Sequence, residues 1–241
     1  GLPLADWPAV TAATAETRYR AVDHSYAYNV VTFSYTFWGY GAADWERQID
    51  WLALSGVNLA LAYTGQEEVY RRTYARFGVN SSTFAAWSNG PAWLAWSRGQ
   101  DMHGCGDGAL TEAWMAGQYA LQQGILAQMR GLGIVPILPA FQGNVPPAMV
   151  RLFPDANITR DSPTGGWWLG STDPLFAKFS DAFMAELVGG WGTDHWYEAD
   201  GYFNQHGGPW YAPHRADRDR DRASTPAAAA PAAAAAPAPP A

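Results

Sequence analysis

The sequence contains a single cysteine, Cys105, among its 241 residues. One cysteine cannot form an intrachain disulfide, which excludes a fold held together by a disulfide framework. The surrounding run, His103-Gly104-Cys105-Gly106-Asp107, lacks the second cysteine or the His-x-x-x-His spacing that indicates a metal site. The sequence therefore predicts no metal and no cofactor, and it gives Cys105 no role beyond a loop thiol.

Long apolar runs and an excess of positive charge are absent as well. No stretch reaches the roughly 20 apolar residues that a helix needs to cross a bilayer, so no membrane span is expected. The 22 acidic residues outnumber the 15 basic ones, and the formal charge of −7 argues against nucleic acid as a partner. The first residues do not have a signal-peptide pattern.

Aromatic side chains are abundant, with 13 Trp, 12 Tyr and 10 Phe. They can fill a large core, or they can line a carbohydrate cleft, because flat aromatic faces stack on the apolar faces of sugar rings. Composition alone favours the core. The chain is long enough for one sizeable core and at most two domains.

Four strands are predicted to alternate with helices along the chain. The strands are expected at residues 28–37, 57–63, 134–140 and 195–202, and the main helices at 44–56, 66–77, 112–132 and 173–188. This order predicts an α/β fold with a parallel sheet and right-handed crossovers. Four such units make the first half of a TIM-like (β/α)8 barrel. Pro136 inside the third strand predicts that this strand is open on one side.

The composition divides the chain into three regions. Residues 1–20 are an Ala/Thr/Pro-rich, flexible lead-in, residues 21–212 form the partial barrel, and residues 213–241 are a disordered, Ala/Pro-rich tail. Half a barrel has two unpaired sheet edges, which predict aggregation, dimerisation or pairing with a separate partner half.

Carboxylates and amides follow the predicted strand ends, where barrel enzymes carry their chemistry. Glu198 and Asp200 lie two residues apart on one strand and share a face, so either could be a catalytic carboxylate in the barrel lumen. The residues favour a hydrogen-bonding strut for Asp200, and leave Glu198 open between catalysis and an ion pair. Gln66 and Glu67 could line the pocket, or Glu67 could simply favour a helix N-terminus.

Several long blocks of sequence resemble one enzyme family. The blocks are TFSYTFWGYGAADWERQIDWLALSGVNLALAYTGQEEVY, GPAWLAWSR, ILAQMRGLGIVPILPAFQGNVP, FPDANIT and GTDHWYEAD, within residues 18–211. They resemble the lysosomal-type α-N-acetylglucosaminidases, glycoside hydrolase family 89. The resemblance implies a TIM-like catalytic barrel that removes terminal α-linked N-acetylglucosamine from glycans such as heparan sulfate, with retention of configuration. It also implies a glycan partner and a lysosomal or secreted location.

The resemblance carries roles onto individual residues. It implies sugar contacts at Asn29 and Tyr35, a pocket wall at Trp96, a border of the pocket mouth at Phe141, and the motif Asn at Asn204. Gln205 falls on the acid/base Glu of the family's Phe-Asn-Glu motif, once one residue is inserted between Asp200 and Phe203.

An amide at Gln205 cannot protonate a leaving oxygen as a carboxylic acid does. The family's nucleophile, a second Glu on a later strand, has no counterpart before the Ala/Pro-rich tail. We therefore expect this chain to be inactive alone, and Glu198 or Asp200 are the candidates to replace the acid. The alternatives are a non-catalytic remnant that binds N-acetylglucosamine, and a truncated product without function.

Two sequons, Asn80-Ser81-Ser82 and Asn157-Ile158-Thr159, occur in segments predicted as loops or turns. They permit glycosylation at Asn80 and Asn157 if the chain passes through a secretory route.

Overall fold

The computed structural model describes residues 20–28, 30–88, 98, 110–160 and 166–199. In these ranges the strands are β1 (Tyr26–Ala27), β2 (Leu59–Leu61), β3 (Val135–Pro139), β4 (Ile158–Arg160), β5 (Trp167–Leu169) and β6 (Tyr197–Glu198). The helices are α1 (Val30–Tyr35), α2 (Ala42–Leu54), α3 (Gln66–Ala75), α4 (Ser81–Trp87), α5 (Glu112–Gly131), α6 (Met149–Leu152) and α7 (Pro174–Trp191).

Four of the strands form a parallel sheet in the order β1-β2-β3-β6. Helices fill each connection, with α2 between β1 and β2, α5 before β3, and α7 before β6. This arrangement confirms the predicted α/β fold with four parallel strands. No helix in the described ranges has both the length and the apolar character needed to cross a membrane.

Helix α2 follows the predicted amphipathic pattern. Trp45, Ile49 and Leu52 are buried and recur at the spacing that puts them on one helical face. The backbone N–H of Gly41 donates to Asp44 Oδ2 at 3.0 Å and satisfies a donor at the helix start. The chain leaves the helix at Gly56, whose φ of 74° lies in the left-handed region.

The core lies between the sheet and its helices. All three residues of β2 are buried, as expected for a strand covered on both faces. Helix α7 contributes Phe179, Phe183 and Leu187, which are fully buried. The Phe183 ring contacts Tyr70 of α3, with ring centroids 4.8 Å apart, so α3 and α7 share one aromatic core.

The predicted strand at residues 28–37 is wrong. The structure has the two-residue strand β1 and then the helix α1. The β-branched and aromatic residues that suggested a strand also repeat at helical spacing, so Val30 and Phe33 are both buried on one face. The Phe33 ring lies 5.2 Å from the Tyr63 ring and 5.8 Å from the Trp45 ring. Packing between these distant residues overrides the local strand preference.

The prediction that Pro136 marks an open strand is also wrong, because β3 is paired on both sides. Leu138 N–H donates to the Trp196 carbonyl at 3.1 Å, and Ala140 N–H donates to the Glu198 carbonyl at 2.8 Å. In a strand every second backbone nitrogen points to the same neighbouring strand, so the nitrogens of Pro136, Leu138 and Ala140 all face β6. Pro136 lies two residues before Leu138, where the hydrogen bonds to the β6 segment begin. The sheet therefore loses no hydrogen bond at this proline.

A second proline, Pro139, interrupts the ladder on the other side of β3. The register Leu61 to Ile137 aims the nitrogen of Pro139 at the carbonyl of Ala62, and proline has no N–H to donate. The Gln122 side chain of α5 supplies the missing donor, because its Nε2 donates to the Ala62 carbonyl at 2.7 Å. A helix side chain thus completes the sheet at the end of β2.

A small antiparallel pair, β4 with β5, lies between α6 and α7. Trp167 and Trp168 are the first two residues of β5. Trp168 is buried, and its backbone also bridges to Asn144. This burial gives Trp168 a packing role.

The parallel sheet is strongly curved. In register, Tyr26, Leu59 and Val135 share one face, while Ala27 and Tyr197 pack against the core on the other face. Side chains of the two outer strands nevertheless meet: the ring of His24, just before β1, lies 5.3 Å from that of Trp196, just before β6. Such curvature is what part of a barrel requires.

Candidate active site

The carboxyl ends of the four parallel strands lie at one edge of the sheet, the edge where barrel enzymes carry their site. The segments that follow β2 and β3 there are rich in polar residues. Those that are buried include Thr64, Gln66, Glu67, Glu68, Gln142 and Asn144. Buried polar side chains are costly unless they have partners, so their concentration at this edge marks it as the candidate site.

The turn after β2 is fixed against helix α5. Gly65 has a φ of 76°, and a Cβ there would lie 2.7 Å from the Gln118 carbonyl oxygen and 2.8 Å from the Tyr119 Cα. Only glycine fits both the left-handed backbone and this close approach. The turn therefore delivers Gln66 and Glu67 to the first turn of α3 in a fixed position.

Glu67, Arg98 and Gln118 form a buried polar cluster, here called the Arg98 cluster. Arg98 Nε lies 2.7 Å from Glu67 Oε1, and Arg98 Nη2 donates to Gln118 Oε1 at 2.7 Å. The guanidinium carbon also stands 5.7 Å from the centroid of the Trp114 ring. Exposure is 0% for the Arg98 side chain and 4% for the Glu67 side chain, so this ion pair is screened from solvent.

Three atoms at this place have no hydrogen-bond partner among the described residues: Thr64 Oγ1, Glu67 Oε2 and Arg98 Nη1. Most buried polar atoms in folded proteins are paired, so each unpaired one needs an explanation, such as strain, a catalytic role or a bound water or ion. Within the part of the chain that the structure describes, the cluster is therefore incompletely satisfied at this edge of the sheet.

Glu68, next to Glu67, has a different role. It forms ion pairs with Arg71 at 2.7 Å and with Arg72 at 2.9 Å. Burial would raise the pKa of Glu68, but the hydrogen bonds from these two arginines outweigh it and lower the pKa below its usual range. Glu68 is thus held ionised by its own helix.

Phe141, two residues beyond the end of β3, packs into the core. The Phe141 ring, predicted to border the pocket mouth, is buried and lies 5.1 Å from the Phe176 ring of α7. Nearby, the Tyr74 hydroxyl donates to the Asn144 carbonyl, which ties α3 to the same segment. Phe141 therefore packs the segment after β3 against α7.

Glu198 is the last residue of β6 and, by register, lies on the same face of the sheet as Tyr26. Burial of the Tyr26 hydroxyl raises its pKa above the usual range, and the charge of the neighbouring Glu198 carboxylate raises it further. Glu198 and Tyr26 therefore face each other across the concave side. Tyr35, a predicted sugar contact at the end of α1, is 56% exposed.

Five predicted site residues lie outside the described residues: Asn29, Trp96, Asp200, Asn204 and Gln205. The structure brings Gln66 and Glu67 to one edge of the sheet, and it places Glu198 at the end of β6. Sequence reasoning missed Arg98 and Gln118. A lone arginine between Ser97 and Gly99 and a glutamine within a long helix carry no pattern that distinguishes them.

Both predicted glycosylation residues are exposed. Asn80 caps α4, because its Oδ1 accepts hydrogen bonds from Thr83 N–H and from Ser82 Oγ, both at 2.8 Å. The Asn157 backbone N–H donates to Asp173 Oδ2 at 2.6 Å. Within the ranges that the structure describes, no three His, Cys, Asp or Glu side chains are grouped to hold a metal ion.

Comparison with known proteins gives one consistent result. Residues 25–225 match the family model of the α-N-acetylglucosaminidase (NAGLU) TIM-barrel domain. The sequence is 40% identical over 206 residues to the α-N-acetylglucosaminidase of Homo sapiens, a match that covers 82% of this chain and 27% of the human protein.

Solved structures from Clostridium perfringens are similar as well. A family 89 glycoside hydrolase in complex with 2-acetamido-1,2-dideoxynojirimycin matches with a TM-score of 0.70 and 30% identity. The same enzyme with two glutamate-to-glutamine substitutions, in complex with its substrate GlcNAc-α-1,4-galactose, matches with a TM-score of 0.71 and 30% identity. Each match covers 77% of this chain and 22% of the bacterial one. The chain thus spans about a quarter of the length of these relatives.

Proposed function

This chain belongs to the α-N-acetylglucosaminidase TIM-barrel family of glycoside hydrolases, and we propose on that basis that it recognises terminal α-linked N-acetylglucosamine. Its four parallel strands are part of the family barrel. The sugar is expected at the edge where these strands end, beside Gln66 and Glu67. Heparan sulfate is the proposed glycan, and a lysosomal or secreted location is the proposed compartment.

One observation carries this proposal. The chain shares its fold with a bacterial relative whose structure contains GlcNAc-α-1,4-galactose. The polar residues buried at the carboxyl ends of β2 and β3 support a binding site at the same edge, because barrel enzymes bind their substrates there.

The proposed reaction of the family barrel is a retaining hydrolysis. Such a reaction needs two carboxyl groups about 5–5.5 Å apart, one to protonate the leaving oxygen and one to attack the anomeric carbon. In this chain Gln205 stands at the acid position beside Asn204. An amide at that position forgoes a proton transfer that is worth roughly 10²–10⁴ in rate. We therefore expect recognition of the sugar without turnover by this chain alone.

Glu198 is the best described candidate to replace the acid. It stands at the carboxyl end of β6 and faces the concave side of the sheet, beside the Tyr26 hydroxyl. Asp200 remains a candidate on sequence grounds alone. Should the chain hydrolyse the sugar above the background after all, a proton supplied by Glu198 predicts that this activity disappears in Glu198→Gln.

Two assays test the proposal. Tryptophan fluorescence should respond to N-acetylglucosamine and not to glucose, which lacks the acetamido group. The variant Trp51→Phe removes a 60% exposed tryptophan of α2 and should respond like the wild type. A wild-type chain that does not respond to the sugar contradicts the recognition.

Hydrolysis of a chromogenic α-N-acetylglucosaminide tests the catalytic part. The wild type should give no product above the buffer background. A rate typical of intact relatives would contradict the expected lack of turnover. The variant Gln205→Glu should give a measurable rate only if a nucleophile is also present.

A further inference from the structure

We propose that Glu67 and Arg98 act as positioning residues, and that their buried ion pair fixes the chain around residue 98 at the sugar-binding edge. On sequence grounds, Glu67 was a candidate to line the sugar pocket. The structure gives its carboxylate a different partner, because Arg98 Nε lies 2.7 Å from Glu67 Oε1. This inference rests on the proposed function for its effect on sugar binding, and not for the anchoring itself.

The geometry makes Arg98 an anchor. Its side chain is held from two helices, by Glu67 in the first turn of α3 and by Gln118 and Trp114 of α5. Trp114 and Gln118 are four residues apart and therefore lie on the same face of α5. The planar guanidinium satisfies all three contacts in a single orientation, which a flexible ammonium group cannot do.

Stability alone does not explain such a pair. Removing two charges from water is expensive, and buried ion pairs can often be replaced by apolar side chains at no cost in stability. The pair is nevertheless shielded from solvent, and it leaves Glu67 Oε2 and Arg98 Nη1 without partners among the described residues. A buried, incompletely satisfied pair at a functional edge is better explained by the position that it enforces.

The position matters because of what precedes Arg98 in the chain. Trp96, the predicted wall of the sugar pocket, is two residues away, and two residues span at most about 7 Å. A change in the position of Arg98 is therefore expected to reach Trp96 through the backbone. Loss of the anchor should weaken sugar binding without unfolding the core.

The test compares two ion pairs that are replaced in the same way. The double variant Glu67→Leu/Arg98→Met removes the proposed anchor. The matched control, Arg130→Met/Asp194→Leu, removes a pair at 2.6 Å near the opposite edge of the sheet, just before β6. Both should keep a thermal midpoint close to the wild type. Amide hydrogen exchange at residues 96–100 should be about tenfold faster or more in the anchor variant only.

Binding of N-acetylglucosamine, followed by tryptophan fluorescence, should weaken about tenfold or more in the anchor variant and remain unchanged in the control. If the anchor variant does not fold, Arg98→Lys keeps the charge, loses the planar donor pair, and should still speed exchange at residues 96–100. Unchanged exchange there, or faster exchange spread through α3 and α5, would overturn the inference. A wild type that does not bind the sugar refutes the proposed function, and the exchange result still decides the anchoring.

Discussion

The Tyr26 hydroxyl and the Glu198 carboxylate face each other although β1 and β6 are the two outer strands of the four-stranded sheet. Two intervening strands would keep them far apart in a flat sheet, since neighbouring strands lie about 4.8 Å apart. The contact is therefore possible only because the sheet is strongly curved. It also places a carboxylate on the concave face, at the carboxyl end of β6.

The first prediction concerns the ionisation of Tyr26. Burial and then the charge of Glu198 raise its pKa. Because Glu198→Gln removes the charge and leaves the burial, the pKa of Tyr26 should fall but stay above its usual range. The pKa can be measured by NMR of tyrosines labelled at the ring carbon that carries the hydroxyl, with Tyr26→Phe to assign the signal. An unchanged pKa in Glu198→Gln would show that the two groups do not face each other.

The second prediction separates backbone strain from close packing at Gly65. Gly65 and Gly133 have nearly equal φ values, 76° and 75°, but only Gly65 faces another backbone, since nothing lies within 4 Å of a Cβ at Gly133. Gly133→Ala should therefore cost only the left-handed conformation, about 1–2 kcal/mol. Gly65→Ala should cost about 1–3 kcal/mol more, because the turn must move away from α5.

Urea unfolding at neutral pH measures both costs. Equal losses in the two variants would mean that the turn after β2 is not held against Gln118. Gly65→Ala should also weaken N-acetylglucosamine binding, because the turn carries Gln66 and Glu67.

The third prediction is an acid dependence of stability centred on Glu68. Its pKa is lowered in the folded chain by Arg71 and Arg72, despite its burial. A group with a lowered folded pKa stabilises the protein above its unfolded pKa, about 4.3 for glutamate, and loses that contribution as the pH falls through the folded value. Glu68→Gln should therefore lower the free energy of unfolding at pH 7, and should lose less stability than the wild type below about pH 4.

Urea unfolding at neutral and acid pH measures this dependence. In an Arg71→Gln background the effect of adding Glu68→Gln on the free energy of unfolding should shrink, because one of the two arginines that lower the pKa has gone. A full-sized effect in that background would contradict the assigned cause.

The sequence predicted the elements that depend on local pattern. The helix at Trp45, Ile49 and Leu52 has an amphipathic period and a glycine stop, and both are decided within a dozen residues. The apolar strands β2 and β3 were likewise located by their composition. The order of these elements was enough to predict the parallel sheet.

The failures depend on contacts between distant residues. The helix at Val30 and Phe33 is selected by Tyr63 and Trp45, which no local window contains. The hydrogen bond that Pro139 cannot donate to Ala62 is replaced by one from Gln122, in a helix that is far away in sequence. Pro136 costs the sheet no hydrogen bond only because β6 begins beyond it. For the site, Glu67 was predicted by its place after a strand, whereas its partner Arg98 has no sequence signal.

Gly190, near the end of α7, illustrates the same dependence on distant contacts. A Cβ at Gly190 would overlap the Tyr119 hydroxyl oxygen, whereas nothing lies within 4 Å of a Cβ at Gly189. The Tyr119 ring has little freedom to move away. It lies 5.0 Å from the Trp191 ring, and the Arg72 guanidinium stands 4.3 Å from its centroid.

The last prediction follows from this pair of adjacent glycines. Gly189→Ala should stabilise the chain by up to about 1 kcal/mol, because alanine favours a helix and meets no neighbour. Gly190→Ala gains the same helix propensity but must displace Tyr119, so its net effect should be a loss of about 1–3 kcal/mol. Thermal and urea unfolding measure both. The double variant Tyr119→Phe/Gly190→Ala should recover part of the loss, because the hydroxyl oxygen that meets the new Cβ is gone. Equal stability of the two single variants would contradict the packing of α5 against α7 at this point.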